Sequence, residues 1–177
     1  MHLVNYKTKA WGLAILVVIV LVFYVMEFGH LGNTLFATGL IKKSLVFALV
    51  IGIYLGWRLQ SQGSEQVDKI RIWAACILLS LFFAPMVGSI SNRVLSFGKI
   101  TNKSFEFMEE KAFASSAYGF LKDETIEADG CYLFVFYEGA IHRLKRKQCI
   151  YWDRKRGDVI NLPVKKGLWG YEIVMQN

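Results

Sequence analysis

The amino-acid sequence predicts a mixed membrane protein, with three transmembrane helices followed by a small antiparallel β-sheet or partly closed barrel. Two observations predict this class. The first half of the chain contains three long apolar stretches separated by short polar segments. The second half is richer in charges and in short β-forming segments that glycines punctuate. The expected organisation is a three-helix transmembrane region over residues 1–92 and a soluble β-rich tail domain over residues 93–177.

The three apolar stretches differ in how well they meet the length that membrane crossing requires. Ala10–Met26 has 17 residues, Ser44–Trp57 has 14 and Ile72–Asn92 has 21, all without a charge. About 20 apolar residues span the ~30 Å hydrocarbon layer of a bilayer. The second stretch therefore crosses only if its helix begins earlier, near Leu35, or if the flanking cations snorkel to the interfaces. Three crossings would put the two chain ends on opposite sides of the membrane.

A pair of glycines, Gly52 and Gly56, forms a Gly-xxx-Gly pattern in the second stretch. Small residues at this spacing let two helix backbones approach closely, so the pair is a candidate helix-packing face. Its partner is either another helix of the same chain or a second copy of the chain. Chance is the alternative, because glycine is common in membrane helices.

The tail domain begins its β-rich part with a predicted hairpin. Cys131–Tyr137 is dense in aromatic and β-branched residues. Glu138 and Gly139 then form a tight turn into a second strand over Ala140–Arg146. This pattern indicates two antiparallel neighbours in one sheet.

Two further strands and one helix complete the expected tail. Val159–Val164 and Tyr171–Met175 follow glycine-containing turns, and Pro163 favours an edge position for the first of them. Phe105–Phe120 contains helix-forming charged residues among aromatics and is expected to form a short helix leading into the domain.

The charged residues that flank the first apolar stretch and the cysteines of the tail favour a tail outside the cytoplasm. Lys7 and Lys9 precede the first stretch and only Glu27 follows it, which favours a cytoplasmic N-terminus. Cys131 and Cys149 both lie in the tail, where an oxidising compartment would allow a disulfide contributing ~3 kcal/mol. Two unrelated thiols are the alternative. The expected location is the bacterial inner membrane, multi-pass, with the tail domain periplasmic.

Charge is segregated within the tail. Residues 106–138 carry eight acids and residues 142–166 carry nine bases, in a chain of net charge +7. The basic and aromatic stretch is the predicted partner-binding face, for an acidic protein, a lipid head group or, least of all if the tail is outside the cytoplasm, nucleic acid. Its candidate contact residues are Arg143, Lys145, Arg146, Lys147, Trp152, Arg154, Lys155 and Arg156. The alternatives are solvated strand edges that keep the sheet from pairing with other chains and internal pairing of the basic and acidic segments.

No catalytic, metal or cofactor site is indicated by the sequence. The three histidines do not fall in a metal-binding spacing, and the apolar stretches carry none of the mid-membrane charges that ion pathways use. An enzymatic site would require Cys131, Cys149 and His142 to converge as a Cys/His nucleophile or a metal site. The expectation is a protein that is not an enzyme and binds neither cofactor nor metal.

The three apolar stretches and the short tail from Arg93 to Asn177 carry a resemblance at the level of architecture, without a diagnostic motif. In size and layout the chain resembles the small inner-membrane superinfection-exclusion proteins of P22-like phages, the superinfection exclusion protein A type. The resemblance implies a prophage- or plasmid-encoded protein that interrupts incoming DNA at the inner membrane by contacting injection or transfer proteins. It implies no catalysed reaction.

The partners expected on these grounds are the lipid bilayer and another protein, with no direct contact to nucleic acid. Copies of the chain associating through their helices are a further option. The alternative function is an accessory subunit of an envelope secretion or assembly complex, whose interface would use Gly52 and Gly56.

Overall fold

The computed structural model describes residues 2–96, 98–113 and 128–175. In this part of the chain three helices are followed by a curled, five-stranded antiparallel sheet that forms a half-barrel. The helices are α1 (His2–Leu31), α2 (Ala37–Leu59) and α3 (Gln66–Val94), with a 3₁₀ turn at Gln60–Gln62. The strands are β1 (Ile100–Phe113), β2 (Gly130–Tyr137), β3 (Ala140–Arg146), β4 (Val159–Lys166) and β5 (Glu172–Val174).

The three helices coincide with the three apolar stretches of the sequence. The segments Ala37–Gln62 and Gln66–Val94 are long and apolar enough to cross a membrane, whereas the fully described part of α1 contributes the shorter apolar run Val17–Leu31. Large apolar side chains on all three helices are exposed, among them Phe23 and Leu78. Exposed apolar surface on this scale is typical of a chain whose helices contact lipid.

Small residues form the seam between α2 and α3. A methyl group added at Gly52 would lie 2.9 Å from the Cα of Ile77, and one added at Gly56 would lie 3.1 Å from the Trp73 ring. A side chain at Gly52 would therefore force the two helices apart, and one at Gly56 would require the Trp73 ring to shift. Of the two partners considered for the glycine pair, the structure supplies the neighbouring helix of the same chain.

The sheet has the order β3-β2-β1-β4-β5, and every neighbouring pair is antiparallel. Its concave side holds the apolar core, to which every strand contributes. The core residues are Phe105, Phe107, Leu133, Val135, Leu144, Ile160, Leu162, Val164 and Val174, joined by Leu35 from the segment between α1 and α2. The predicted hairpin is present, and its turn residues Glu138 and Gly139 have φ angles of 46° and 80°, as a two-residue hairpin turn requires.

The segment between α1 and α2, residues 32–36, closes the open side of the half-barrel, and we call it the connector. The Leu35 amide donates to the Glu172 carbonyl at 2.8 Å, and the Val174 amide donates to the Asn33 carbonyl at 2.9 Å. On the other side, the Asn33 side chain bonds to the backbone of Lys145. Its Nδ2 donates to the Lys145 carbonyl at 3.2 Å, and its Oδ1 accepts from the Lys145 backbone amide at 2.7 Å. The connector thus bonds to both edge strands, β3 and β5, and leaves neither edge fully open.

The expected helix over Phe105–Phe120 is wrong as far as the structure describes it, because residues up to Phe113 belong to β1. Phe105 and Phe107 alternate inward as strand residues do, and β1 pairs with both β2 and β4. A register shift between Phe107 and Glu109 interrupts that alternation. Residues 114–120 lie outside the described part of the chain.

The expected edge position of Pro163 is also wrong, because β4 lies between β1 and β5. The Met175 amide donates to the Pro163 carbonyl at 2.9 Å, so the proline nitrogen faces the β5 side. Pairing of β4 with β5 starts only at Val164. Pro163 therefore lies just beyond the last residue pair of β4 and β5, where its missing N–H costs no bond between the two strands.

Candidate functional site

The predicted basic face begins on β3, where strand alternation divides its cations. Arg143 and Lys145 are exposed. The Arg143 guanidinium lies 4.9 Å from the centre of the Tyr132 ring, and the Lys145 ammonium lies 4.8 Å from that of Phe113. Both cations therefore rest on aromatic faces at the surface of the sheet.

Arg146 does not belong to the exposed face, which corrects its assignment as a contact residue. Its side chain points inward like that of Leu144, two positions earlier, and only 7% of the residue is exposed. The guanidinium lies 5.7 Å from the centre of the Tyr151 ring. Arg146 is therefore part of the packing beneath the chain that follows β3, and a partner would not reach it.

The chain between β3 and β4, residues 147–158, holds the rest of the predicted face, and we call it the basic loop. Lys147, Trp152, Arg154, Lys155 and Arg156 are all exposed. Trp152 exposes 65% of its surface. Tryptophan and arginine are the residue types that protein-binding surfaces favour, and the loop exposes Trp152, Arg154 and Arg156.

Backbone hydrogen bonds hold the basic loop in place and leave its side chains available. The buried Glu110 carboxylate accepts from the Ile150 amide at 3.3 Å and from the Tyr151 amide at 2.9 Å. The Gly157 amide donates to the Phe107 carbonyl at 2.8 Å. The loop is thus attached to the middle of β1, and its conformation does not depend on the exposed cations.

The cations at 154–156 form no ion pair with any carboxylate in the described part of the chain. In the acidic segment Glu109 pairs instead with Lys111 at 3.0 Å. Three further acids of the segment, Asp123, Glu124 and Glu127, lie outside the described residues. Internal neutralisation of the basic loop is therefore not observed among the residues that are described.

A disulfide joins Cys131 at the start of β2 to Cys149 in the basic loop. The two Cα atoms are 5.4 Å apart, within the usual range for a disulfide. Cys131 is fully buried, so the bond links the loop to the core of the sheet. The bonded sulfurs leave no thiolate in this pair, and the Cys/His site considered from the sequence is not assembled.

His142 lies away from that pair. In the β2–β3 ladder His142 is opposite Val135, whereas Cys131 is opposite Arg146. Four residues of strand separate the two positions, or roughly 13 Å at the usual rise. Burial lowers the pKa of His142, while a backbone hydrogen bond involving Tyr137 partly opposes the shift. Among the described residues no cluster of three His, Cys, Asp or Glu side chains has the proximity that a metal ion needs.

The end of α3 fixes the sheet to the helices through Asn92. This residue is fully buried. Its side chain donates to the Tyr171 carbonyl at 3.2 Å and accepts from the Trp169 amide at 3.0 Å. The Trp169 indole N–H donates to the Ser91 hydroxyl at 2.8 Å. The turn between β4 and β5 is therefore seated on the last turn of α3.

An ion pair between the buried Glu27 and the half-exposed Arg93 joins α1 to α3 near the same end of the helices. The Glu27 carboxylate accepts from the Ser89 hydroxyl at 2.6 Å and from the Arg93 guanidinium at 2.8 Å. Tyr24, one turn earlier, donates its hydroxyl to the Phe82 carbonyl at 3.1 Å. These contacts hold α1 against α3 at the level where the sheet begins.

A second charged contact lies within the sheet. The Lys103 ammonium donates to both oxygens of the Glu172 carboxylate at 2.7 and 2.8 Å and to the Tyr137 hydroxyl at 3.0 Å. The hydrogen bonds to Glu172 and Tyr137 raise the pKa of Lys103 well above its ordinary value. Lys103 therefore remains charged at physiological pH and connects β1 to the start of β5.

Sequence reasoning missed Asn33, Asn92 and the Glu27–Arg93 pair. The available signal was only that Glu27, Asn92 and Arg93 stand at the ends of apolar stretches. Nothing local shows that each of these groups meets a partner 66 to 112 positions away.

Together the fold and the surface define a class of protein: a helical bundle with two helices able to cross a membrane, carrying a disulfide-linked half-barrel with an exposed basic loop. Comparisons of the chain with protein families, curated proteins and solved structures find no match. Any function must therefore be argued from the molecule's own geometry.

Proposed function

We propose that this chain is a multi-pass inner-membrane protein with a cytoplasmic N-terminus and a periplasmic half-barrel. The support is geometric. The connector and the end of α3 both bond to the sheet, so these helix ends lie beside it. If α2 and α3 cross, the connector and the sheet share one side of the membrane. A crossing by α1 would then leave the N-terminus on the other side. The disulfide between Cys131 and Cys149 supports the oxidising side for the sheet.

The role proposed for the half-barrel is binding, without catalysis, to an acidic surface of another protein. The observation that carries this proposal is the basic loop: three consecutive exposed cations, at 154–156, with no ion-pair partner among the described residues, beside the exposed Trp152. Because the loop is held by backbone bonds and a disulfide, little conformational entropy is lost when a partner binds. Nucleic acid is not expected as a direct partner on the periplasmic side.

The biological role proposed is exclusion of incoming DNA at the inner membrane. The half-barrel would contact injection or transfer proteins of a phage or plasmid and block their assembly. The motivation is the architectural resemblance to superinfection-exclusion proteins together with a charged face held just outside the proposed membrane. A blocking protein of this kind needs a membrane anchor and a preformed contact surface, and the apolar helices and the basic loop are the candidates for the two.

The alternative, an accessory subunit of an envelope complex, was based on Gly52 and Gly56 as an interface between proteins. Both glycines pack on α3 of the same chain. That face is therefore already used, and the alternative loses the feature that favoured it. Only other helix surfaces, such as the exposed face of α1, would remain for such an interface.

The test reverses the charge of the basic loop in cells that express the chain. The variant carries Arg154→Glu, Lys155→Glu and Arg156→Glu. We expect wild-type protein to reduce both the arrival of labelled phage DNA in the cytoplasm and the frequency of conjugative plasmid transfer. The variant should restore both to the level of cells without the chain, because it would repel an acidic partner.

A matched control reverses three lysines outside the basic loop that form no ion pair among the described residues: the exposed Lys99 and Lys166 and the half-buried Lys165. This control has the same net charge as the loop variant and should still block. Formation of the Cys131–Cys149 disulfide verifies that each variant folds. Full blocking by the loop variant would contradict the proposed contact surface. If the wild type blocks neither phage nor plasmid while host envelope proteins co-purify with it, the accessory-subunit alternative is favoured.

A further inference from the structure

A groove of about 560 Å³ runs along the surface between α2 and α3. Its floor is made of small buried residues, including Ser44, Ala48 and Ala84. Larger apolar side chains line it, among them Leu79 and Phe83. The volume lies within the roughly 300–1,000 Å³ range of small-molecule sites in proteins.

One end of the groove is closed by the turn between β4 and β5. Trp169 lines the groove there, and its ring centre lies 5.7 Å from that of Phe47. The bonds of Trp169 to Asn92 and Ser91 hold the indole in this position. The closed end of the groove is thus built from both the helices and the half-barrel.

Lysines stand at that same end. A second cavity of about 480 Å³ is lined by Lys42, Lys43, Phe47 and Trp169. Phe47 and Trp169 also line the groove, so the two spaces adjoin there. Lys42 and Lys43 are both exposed, and the Lys43 ammonium lies 4.8 Å from the centre of the Tyr171 ring. An apolar groove thus leads to a cationic site at the level where the helices meet the sheet.

This arrangement matches the two parts of an anionic phospholipid. An acyl chain is apolar and lies beside the proposed spans, and the phosphate lies at the membrane surface, where lysines attract anionic lipid. Lipid must also fill such a groove if the helices are in a bilayer, since an empty groove would forfeit dispersion contacts along its walls. Charge complementarity at Lys42 and Lys43 favours a lipid over an apolar helix of a partner protein.

We propose that the groove between α2 and α3 is a binding site for one anionic phospholipid, with an acyl chain along Leu79 and Phe83 and the phosphate at Lys42 and Lys43. The proposal rests on the membrane placement argued above and is independent of the blocking role. Because Trp169 both lines the groove and bonds to the end of α3, a bound lipid would contact the point where the half-barrel is attached to the helices.

The experiment purifies the full-length chain in nanodiscs of phosphatidylglycerol and phosphatidylcholine in equal amounts and counts retained lipids by native mass spectrometry. We expect one phosphatidylglycerol per chain to survive release from the disc. Leu79→Trp should abolish its retention by filling the groove. Lys42→Glu should keep a retained lipid but remove the preference for phosphatidylglycerol over phosphatidylcholine.

Neighbouring residues supply the matched controls. Leu78 is exposed on α3 but does not line the groove, so Leu78→Trp should retain the lipid. Arg58 lies at the far end of α2, and Arg58→Glu should leave the lipid preference unchanged. The proposal is overturned if the wild type retains no lipid, if Leu79→Trp and Leu78→Trp retain it equally, or if a second copy of the chain occupies the groove. A chain that leaves the membrane fraction without detergent would instead contradict the membrane placement itself.

Discussion

The helices and the half-barrel of this molecule bury opposite kinds of residue. Where α2 meets α3, the buried positions are small or polar, as at Ser44, Ala48 and Gly52. In the half-barrel most buried positions are large and apolar, as at Phe105 and Leu162, with Glu110 and Arg146 as buried charged exceptions. Large apolar side chains are instead on the outside of the helices.

This difference is expected if the two regions face different solvents, as the proposed membrane placement requires. A water-soluble domain gains most from removing large apolar side chains from water. Helices in lipid gain nothing from burying leucine, so they associate through small residues that allow close backbone contact and through internal polar bonds such as Glu27–Ser89. The residues buried in the two regions therefore support the proposed membrane placement independently of hydropathy.

The largest expected effect comes from truncating a phenylalanine on the two sides of this comparison. Phe105 is 1% exposed in the half-barrel core, and Phe105→Ala should lower the free energy of unfolding of that domain by about 3–5 kcal/mol. Phe23 is exposed on α1, and Phe23→Ala should change it little. Pulse proteolysis in urea on the detergent-solubilised chain measures both. Equal losses would mean that the two regions are not built differently.

Removing the disulfide should have the next largest effect and should be confined to the half-barrel. The double variant Cys131→Ala and Cys149→Ala opens a link between residues 18 positions apart, which should cost about 3 kcal/mol. Cys76 is a free cysteine in α3, so Cys76→Ala is the control and should leave the half-barrel unchanged. A wild-type urea midpoint that does not respond to reductant would contradict this prediction.

A smaller loss is expected when the helix seam is overfilled. Gly52→Leu would force a side chain against the backbone of α3, at an expected cost of about 1–3 kcal/mol. The control is Gly12→Leu, because nothing lies within 4 Å of a methyl group added there. Unfolding in mixed detergent micelles, followed by the helical circular dichroism signal, compares the two. Tolerance of Gly52→Leu would show that α2 and α3 do not depend on close approach.

The smallest expected effect is a pH dependence of the free energy of unfolding of the half-barrel. Burial lowers the pKa of His142 below its ordinary value of 6.5, so the unfolded state binds a proton more readily than the folded state. The stability that the half-barrel gains from keeping His142 neutral is thus fully present above pH 6.5 and decreases as the pH falls below that value. His142→Gln should flatten this dependence in urea titrations at several pH values. An identical pH profile for variant and wild type would show that His142 is not the group responsible.

The helices and most strands were predictable because their signals are local. Each apolar stretch lies inside one helix, and the strand predicted at Ala140–Arg146 has those bounds in the structure. β1 was missed because Glu109, Glu110 and Lys111 favour helix and a register shift interrupts the strand pattern just before them. There the pairing with two neighbouring strands outweighs local propensity.

The candidate surface was predictable in outline and not in detail. A run of bases in the sequence does not show which of them point inward, yet alternation from Leu144 would have placed Arg146 inside. The bonds of Asn33 and Asn92 were beyond prediction, because each depends on how the sheet curls back onto the helices. Long-range polar contacts of this kind leave no pattern in neighbouring residues.

The central claim is that the helices cross the inner membrane an odd number of times and hold the half-barrel in the periplasm. A dual reporter fused after Asn177, with alkaline phosphatase and green fluorescent protein in tandem, tests it directly. Alkaline phosphatase is active only outside the cytoplasm, and the fluorescent protein only inside. We expect phosphatase activity without fluorescence. Fluorescence without phosphatase activity would place the half-barrel in the cytoplasm and contradict both the topology and the proposed blocking role.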